Sequence, residues 1–334
     1  MKRILGRSNL EVSALGMGCW AIGGPMRRTA DGVTFEPMGW GQVDDAESIR
    51  AIHQAIDLGV TLFDTANNYG AGRSERVLGQ ALRGRRDQVV IATKFGSVFD
   101  EATRTHFDKG DDFVITPAFI REACEGSLRR LQTDVIDLYQ FHWGNYDATR
   151  ALTVRDTLEA LVAEGKIRWY GWSTDRPELA AIFAAGAHCT AVQHRLNVLS
   201  DAPEMLALCA EEDLASINKQ PLNAGLLTGK FTPETTFPED DGRHGVDFSS
   251  ERLRQRLQQI DDLRAVLTSG GRTMAQGALA WIWARSPRTI PIPGFKNTRQ
   301  VAENAAAMSF GRLSAAEMRQ VDEILGRGEV VAVG

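Results

Sequence analysis

Asp64, Tyr69, Lys94 and His142 each stand where an apolar, strand-like run gives way to loop-like sequence. VTLFD ends at Asp64, QVVIATK at Lys94 and DVIDLYQFH at His142, and Tyr69 follows Asp64 by five residues. A carboxylate, a phenol, an ammonium and an imidazole in one pocket can hold and deliver a proton. Carbonyl reduction needs such a group, because a hydride goes to carbon and a proton to oxygen, and a phenol with an ordinary pKa of about 10 is a slow donor at neutral pH. A lysine ammonium about 4 Å away, at an effective dielectric near 20, contributes about 4 kcal/mol and lowers that pKa by about 3 before desolvation opposes it. Lys94 is expected to act on Tyr69 in this way. Asp64 would be the counter-ion that orients Lys94, and His142 would orient the carbonyl oxygen by hydrogen bonding. Taken singly, each residue has a plainer reading: a strand-end Asp is often a helix cap or surface ion-pair partner, and a Lys or Tyr at a loop mouth is often solvated. Their joint placement is what points to chemistry.

Residues so distant in sequence meet only if a fold gathers strand ends on one face, as a barrel of parallel strands does. The chain alternates in the required way. LGMGC, VTLF, QVVIAT, DVIDLYQF, KIRWYGW, TAVQ, LASI and RTIPI read as eight strands separated by helical periodicity. This favours an α/β fold, a (β/α)8 TIM barrel, over an open doubly wound sheet. Helices are expected where Ile49, Ile52 and Ile56 share a face, in SERVLGQAL, from Thr116-Pro117 to Leu131, and over 151–164, 177–185 and 203–212. IL, GRSN and LEVSAL read as an N-terminal hairpin capping one end. Residues 23–41 read as a loop, with the character of a lid. Residues 218–272, between strands 7 and 8, read as an insertion with a polar loop over 233–245 and a charged helix from about Ser249. In that helix Leu253, Leu257 and Ile260 would pack inward while Glu251, Arg252, Arg254 and Arg256 stay solvated. Extra helices are expected there and at the C-terminus.

The 334 residues suit one barrel domain spanning 1–334, and 43% hydrophobic content with seven Trp is ample for a large core. A net charge of −5 disfavours a nucleic-acid partner, which needs a concentrated basic face, and leaves a small molecule as the expected partner. Cys19, Cys124, Cys189 and Cys209 are scattered without a CxxC pair, as in a protein with reduced thiols, so a cytoplasmic location is expected. Glu11 and several glycines interrupt the apolar stretch near the start, which argues against a signal peptide. No apolar run reaches the roughly 18 residues of a membrane span. His53, His106, His188, His194 and His244 lack metal-ligand spacing, so no metal is expected. GMGCWA superficially fits a dinucleotide fingerprint, but no helical periodicity follows it to receive a pyrophosphate. Gly18 and Trp20 are read as pocket lining instead.

With these residues in view, the chain resembles the aldo-keto reductases, NADPH-dependent barrel enzymes. FDTANNYGAGRSERVLGQAL is similar to the family segment carrying the catalytic Asp and Tyr, VVIATKFG to the one carrying the Lys, and DLYQFHW to the one carrying the His. Order, spacing and flanking residues agree from about Ile4 to Met308. The resemblance implies NADPH/NADP+ as cofactor, with Ser173, Thr174 and Gln193 at the nicotinamide carboxamide. It places Pro221 to Lys230 around the pyrophosphate, with Leu222, Gly225 and Leu227 as backbone contacts, and sets Lys219 and Gln220 just before that loop as further cofactor contacts. Gly294, Lys296, Arg299, Gln300, Glu303 and Asn304 would lie around the adenosine end, where Lys296 and Arg299 suit a 2′-phosphate. Two positions depart from the common pattern: Thr174 where many members have Asn, and Lys219 where an aromatic often stacks on the nicotinamide. A lysine cannot stack so and would change cofactor affinity or redox preference.

The resemblance implies reversible reduction of aldehydes or ketones. Two other readings compete: a nicotinamide-binding regulatory subunit with slow turnover, and a Schiff-base lyase using Lys94, which Asp64 opposes by keeping Lys94 charged. Specificity is expected to reside in loops 23–41, 97–116 and 218–245. Trp20, Trp40, Phe99, Trp143 and Phe231 would give them an apolar lining, and the short tail after Gly326 would close little of the pocket.

Overall fold

A computed structural model describes residues 1–110 and 112–328; the end of the tail, 329–334, lies outside the described residues. β1 (Lys2–Ile4) and β2 (Glu11–Ser13) form the expected antiparallel hairpin, and β3 (Gly16–Gly18) is the first barrel strand. β4 (Met26–Thr29) and β5 (Glu36–Met38) follow, then α1 (Asp45–Asp57), β6 (Leu62–Asp64), α2 (Arg73–Ala81) and β7 (Val90–Phe95). β8 (Val98–Asp100) and β9 (Thr105–Phe107) precede α3 (Pro117–Leu131) and β10 (Ile136–Phe141). The alternation continues through α4 (Ala148–Ala163), β11 (Ile167–Ser173), α5 (Pro177–Ala184), β12 (Cys189–Arg195), α6 (Pro203–Glu211) and β13 (Ala215–Lys219). After the insertion, with α7 (Glu251–Asp262) and α8 (Arg264–Leu267), come α9 (Met274–Arg285), β14 (Thr289–Pro291), α10 (Thr298–Phe310) and α11 (Ala315–Ile324).

The eight barrel strands pair in parallel in the order β14-β13-β12-β11-β10-β7-β6-β3. A parallel bridge between Gly18 and Gly294, with Gly18 N–H donating to Pro293 O at 3.0 Å, joins the two ends of this sheet. The helix starts follow from local chemistry. The Asp44 carboxylate accepts from Ala46 N and Glu47 N to cap α1, Thr116 caps α3 with Pro117 in its first turn, and Thr273 with Gln276 forms a reciprocal capping box on α9.

Alternation along the strands sorts the core into two shells. Leu62, Val90, Ala92, Leu138, Ala191, Ala215, Ile217 and Ile290 point into the barrel, where Leu5 and Val12 of the hairpin join them. Their neighbours Phe63, Ile91, Tyr139 and Val192 point outward to the helices. The hairpin is seated on the amino ends of β12 and β13. Thr190 Oγ1 donates to Leu5 O at 2.5 Å, and a Cβ on Gly6, whose φ is +52°, would lie 2.1 Å from Thr190 O. With that end plugged, the carboxyl ends of the strands are the open mouth.

Two loop expectations are corrected. Residues 23–41 and 97–116 are not structureless: β4, β5, β8 and β9 form a second sheet in the order β5-β4-β9-β8 beside the mouth. These strands are three or four residues long, MRRT and EPM lack apolar alternation, and the β4 partner β9 comes from beyond β7, so no local signal marked them. In addition, α4 begins at Ala148, three residues before the expected start, because Asp147 Oδ1 accepts from Arg150 N and caps it there. In the insertion helix Ile260 is buried and Leu253 and Leu257 half-buried, as expected. Among the described residues no helix is long and apolar enough to cross a membrane.

The seat of the hairpin is testable. Gly6→Ala is expected to lower the unfolding free energy by about 2–5 kcal/mol, combining a left-handed backbone penalty of about 1–2 with overpacking of about 1–3. Gly59→Ala, at φ +83° with nothing within 4 Å of its Cβ, is expected to lose only the first, about 1–2 kcal/mol. Urea unfolding of both variants measures the difference, and equal losses would show that the hairpin does not rely on close approach at Gly6.

Candidate active site

The same inward alternation that places Leu62, Ala92, Leu138 and Ala191 in the barrel carries Asp64, Lys94, Gln140 and Gln193 to its upper layer. Lys94 lies opposite Gln140 in the β7–β10 register, and Asp64 opposite Ala92 in the β6–β7 register. Lys94 and Gln140 are fully buried, and Asp64 and Gln193 almost so. Lys94 Nζ spends its three protons on Asp64 Oδ2 at 2.6 Å, Thr65 O at 2.8 Å and Tyr69 Oη at 3.0 Å. The second carboxylate oxygen, Asp64 Oδ1, accepts from Gln193 Nε2 at 2.7 Å and Gln140 Nε2 at 3.1 Å. Every lone-pair direction of the carboxylate that matters is thus used, which is what a buried ion pair requires.

Tyr69 is held by a tight turn after β6. Its amide donates to Ala66 O at 3.2 Å, and Gly70, with φ +61°, packs where a Cβ would come within 2.1 Å of Gly23 O. The phenol ring lies edge-on to Trp20 at 4.8 Å and edge-on to the His142 ring at 5.9 Å. His142 begins the segment after β10, where its amide donates to Phe95 O at 2.8 Å. Its buried Nδ1 has no hydrogen-bond partner among the described residues. The four residues expected to do chemistry are therefore brought together.

Their electrostatics differ from the expectation in one respect. Burial raises the Tyr69 pKa, Lys94 pulls it down and Asp64 pushes it up again, with a net rise above the ordinary phenol value. The expected acidification by Lys94 is outweighed first by burial of the phenol and then by the Asp64 carboxylate, which lies 2.6 Å from Nζ and opposes the ammonium's field. Burial alone would lower Lys94, yet Asp64 and Tyr69 together hold it above its usual value. His142 is held well below the usual imidazole range, by burial first and then by the charges of Lys94 and Lys219. At neutral pH the site therefore holds an ammonium, a neutral phenol and a neutral imidazole.

The residues assigned by resemblance to the cofactor follow the rim. Ser173 and Gln193 are paired neighbours on β11 and β12. Gln193 gives its amide to Asp64, while buried Thr174 turns its hydroxyl to Gly144 O at 2.7 Å. Lys219, half-buried at the end of β13, pairs with Asp175 at 3.3 Å; burial lowers its pKa and Asp175 opposes that. Gln220 is exposed, Pro221 buried and Leu222 half-buried in the turn that follows. Gly225 takes φ +98°, where only glycine is unstrained, and fully buried Leu227 can offer a ligand only its backbone. Lys230 lies 4.0 Å from Glu303. Around the start of α10, Gln300 Oε1 accepts from Lys296 N at 2.7 Å and Asn304 Nδ2 donates to Gly294 O at 3.4 Å, so two of the assigned residues shape the loop itself. The exposed Arg299 and half-buried Lys296 side chains have no ion-pair partner among the described residues.

The aromatic set separates. Trp20 and Trp40 meet edge-on at 6.3 Å beside Tyr69, and Trp143, next to His142, stacks on Phe113 at 6.1 Å. Phe99, expected in the pocket, lies under the Arg130 guanidinium of α3 at 5.6 Å. Phe231 forms a cluster with Phe237 and Phe248 at 5.5 and 5.3 Å and so packs the insertion together. Three further residues escaped notice in the sequence: Thr65 and Gln140, which complete the ion pair, and Glu75. The signal for Gln140 was available, since it stands two residues beyond Leu138 on the same face of a buried strand. Among the described residues no three His, Cys, Asp or Glu side chains gather as a metal site.

Comparison with known proteins agrees with this geometry. The Aldo/keto reductase family model matches residues 14–326. The chain is 33% identical to "Aldo-keto reductase YhdN" of Bacillus subtilis (strain 168), over 95% of this chain and 91% of that protein. It superposes on the glycerol dehydrogenase AKR11B4 from Gluconobacter oxydans with a TM-score of 0.81 at 30% identity, covering 100% of this chain and 98% of the other. An aldo/keto reductase from Klebsiella pneumoniae, solved in complex with NADP and acetate, gives a TM-score of 0.71 at 29% identity, covering 98% and 96%. A barrel with a lysine–carboxylate pair buried under a tyrosine, matched over almost its full length by this family in sequence and in fold, belongs to the aldo/keto reductases.

Proposed function

We propose that the chain is an NADP(H)-dependent carbonyl reductase in which Tyr69 is the proton donor to the carbonyl oxygen. The observation that carries this reading is the contact of one buried ammonium, Lys94 Nζ, with both Asp64 at 2.6 Å and the Tyr69 hydroxyl at 3.0 Å. The phenol is neutral at working pH and has its proton to give. As that proton leaves, Lys94 is already hydrogen-bonded to the oxygen that becomes negative, so the charge is stabilised where it develops. Asp64, held by Gln140 and Gln193, keeps Lys94 protonated and aimed. Neutral His142, whose buried Nδ1 has no hydrogen-bond partner among the described residues, can hydrogen-bond the carbonyl oxygen and fix its approach to Tyr69.

The residues present suit a phosphorylated dinucleotide. Lys296 and Arg299 at the start of α10 offer cations without ion-pair partners among the described residues, and Gly225 holds the turn after β13 in a left-handed conformation at φ +98°. Ser173, Lys219 and the 220–230 turn would hold its nicotinamide and pyrophosphate, with Lys296, Arg299 and Asn304 at its adenosine end. When bound it supplies the hydride. The Klebsiella pneumoniae relative solved with NADP supports this choice. The carbonyl is an aldehyde or ketone small enough to enter between Trp20, Trp40 and Trp143.

Two outcomes are expected. In NADPH-oxidation assays over a panel of aldehydes, ketones and sugars, Tyr69→Phe should bind NADPH as the wild type does but lose about 10²–10⁴-fold in kcat/KM, the usual worth of a positioned general acid. If both proteins bind NADPH and neither turns over, the chain is a cofactor-binding regulator instead. The pH profile of kcat/KM for reduction should be flat through neutrality. Because the Tyr69 pKa is raised, the donor stays protonated until above about 10; because the His142 pKa is lowered, no limb should appear near 6.5. An inflection near 6.5 would reassign proton donation to His142.

A further inference from the structure

On the outer side of β7 the structure holds a second buried charge that the proposed chemistry does not use. Glu75 of α2 is fully buried; its Oε1 accepts from Thr93 Oγ1 at 2.6 Å and its Oε2 pairs with Arg130 Nε of α3 at 2.7 Å. Arg130 reaches further outward, and with Arg76 it grips a third residue, Glu101: Arg130 Nη1 meets Glu101 Oε1 at 3.0 Å, and Arg76 meets Glu101 Oε2. Glu101 is the first residue of the turn joining β8 to β9, so two arginines on the helical layer hold the tip of the hairpin beside the barrel mouth. Around this contact lies a cavity of about 520 Å³ lined by Arg76, Gln80, Glu101, Arg129, Arg130 and Gln132. Exposed Arg129 has no ion-pair partner among the described residues. Glycines keep the guanidinium groups open: a Cβ on Gly126 would lie 3.1 Å from Arg130 Nη1, and one on Gly72 would lie 3.0 Å from Arg76 Nη1.

Three guanidinium groups, of Arg76, Arg129 and Arg130, face this space against one carboxylate, Glu101, while Glu75 lies buried behind it and is committed to Thr93 and Arg130. Planar guanidinium forks match phosphate oxygens two at a time, and the amides of Gln80 and Gln132 add neutral donors. The Glu101 carboxylate occupies the place such an anion would take. We propose that this cavity binds a phosphate group, which takes Arg76 and Arg130 from Glu101 and so releases the β8–β9 hairpin from the helical layer. β9 of the hairpin pairs with β4, and β4 with β5, which ends two residues before Trp40, so release of the hairpin reaches the substrate side of the pocket. A ligand shifts such an equilibrium only by its preference for one state, and here that preference is the exchange of a tethered carboxylate for a more highly charged phosphate.

Calorimetric titration of inorganic phosphate and of pyrophosphate into the full chain tests this, with NADP+ at saturation to fill Lys296 and Arg299 and chloride holding ionic strength constant. The NADP+ titration is a separate isotherm, so a failure of the cofactor reading registers there and not here. Binding at millimolar concentrations is expected, weakened about tenfold or more by Arg76→Gln and by Arg129→Gln, the size of a lost charge-assisted hydrogen bond. Glu101→Gln should tighten binding by a similar factor by removing the competitor. Hydrogen exchange of the amides over 98–107 should quicken with phosphate, and in Glu101→Gln without it. Absence of binding in both wild type and Glu101→Gln, or unchanged affinity in the two arginine variants, overturns the site. Unchanged exchange on binding overturns its coupling to the hairpin.

Discussion

A protonated lysine buried at the centre of the barrel mouth is the constraint on which the rest of the structure depends. Moving an ammonium out of water costs several kcal/mol even after relaxation, and only close opposite charge and complete hydrogen bonding recover it. Lys94 receives both from Asp64, Thr65 and Tyr69. All three come from the end of β6 and the turn that follows it, which fixes the register of β6 against β7. Asp64 in turn needs its second oxygen satisfied, and Gln140 and Gln193 supply this from strands farther round the sheet. One buried charge thus ties four strands together, and that is why these side chains occupy the layer above an otherwise aliphatic interior.

The same strand carries a second electrostatic commitment on its other face. Thr93, adjacent to Lys94, points outward and donates to Glu75, which Arg130 neutralises. Inner and outer networks do not touch, because successive side chains of a strand face opposite ways. They nevertheless share one backbone, so a shift of α2 or α3 that strained the Glu75–Arg130 pair would be felt at the residue next to the buried Lys94. Through Arg130 and Glu101 that pair also extends to the hairpin beside the mouth, which gives the outer helical layer a physical connection to the substrate side.

What the sequence made legible follows from how local each signal was. Barrel strands buried on both faces read as apolar runs, and their polar ends stood out jointly, because several such runs closing in chemically complementary side chains call for an explanation that no one of them does. The helix start at Thr116 was legible because its cap and its first-turn proline are adjacent, whereas the caps at Asp44 and Thr273 were not read from the sequence. The sheet formed by β4, β5, β8 and β9 was illegible, since its pairing joins residues about eighty positions apart through three- and four-residue strands with exposed arginines. Gln140 and Gln193 show the limit from the other side. Both stood on strands correctly placed, but their partner, Asp64 Oδ1, became apparent only from the closure of the barrel. Phe99 was misplaced for the same reason: its neighbour Arg130 belongs to a helix that begins after the intervening hairpin.

The direction of the Tyr69 shift changes how the lysine is understood in the proposed mechanism. An isolated ammonium beside a phenol would acidify it in the resting state. Paired with Asp64, Lys94 presents a small net field, burial dominates, and the phenol rests neutral with its proton secure. The benefit of Lys94 then falls on the moment of transfer, when negative charge appears on an oxygen that already accepts a hydrogen bond from Nζ at 3.0 Å. An interaction that strengthens as charge develops lowers the barrier more than one that is fully expressed in the ground state. By this reasoning Asp64 contributes in two opposed ways: it raises the resting pKa of Tyr69, and it holds the charged lysine within hydrogen-bond reach of the oxygen on which the proposed phenolate develops.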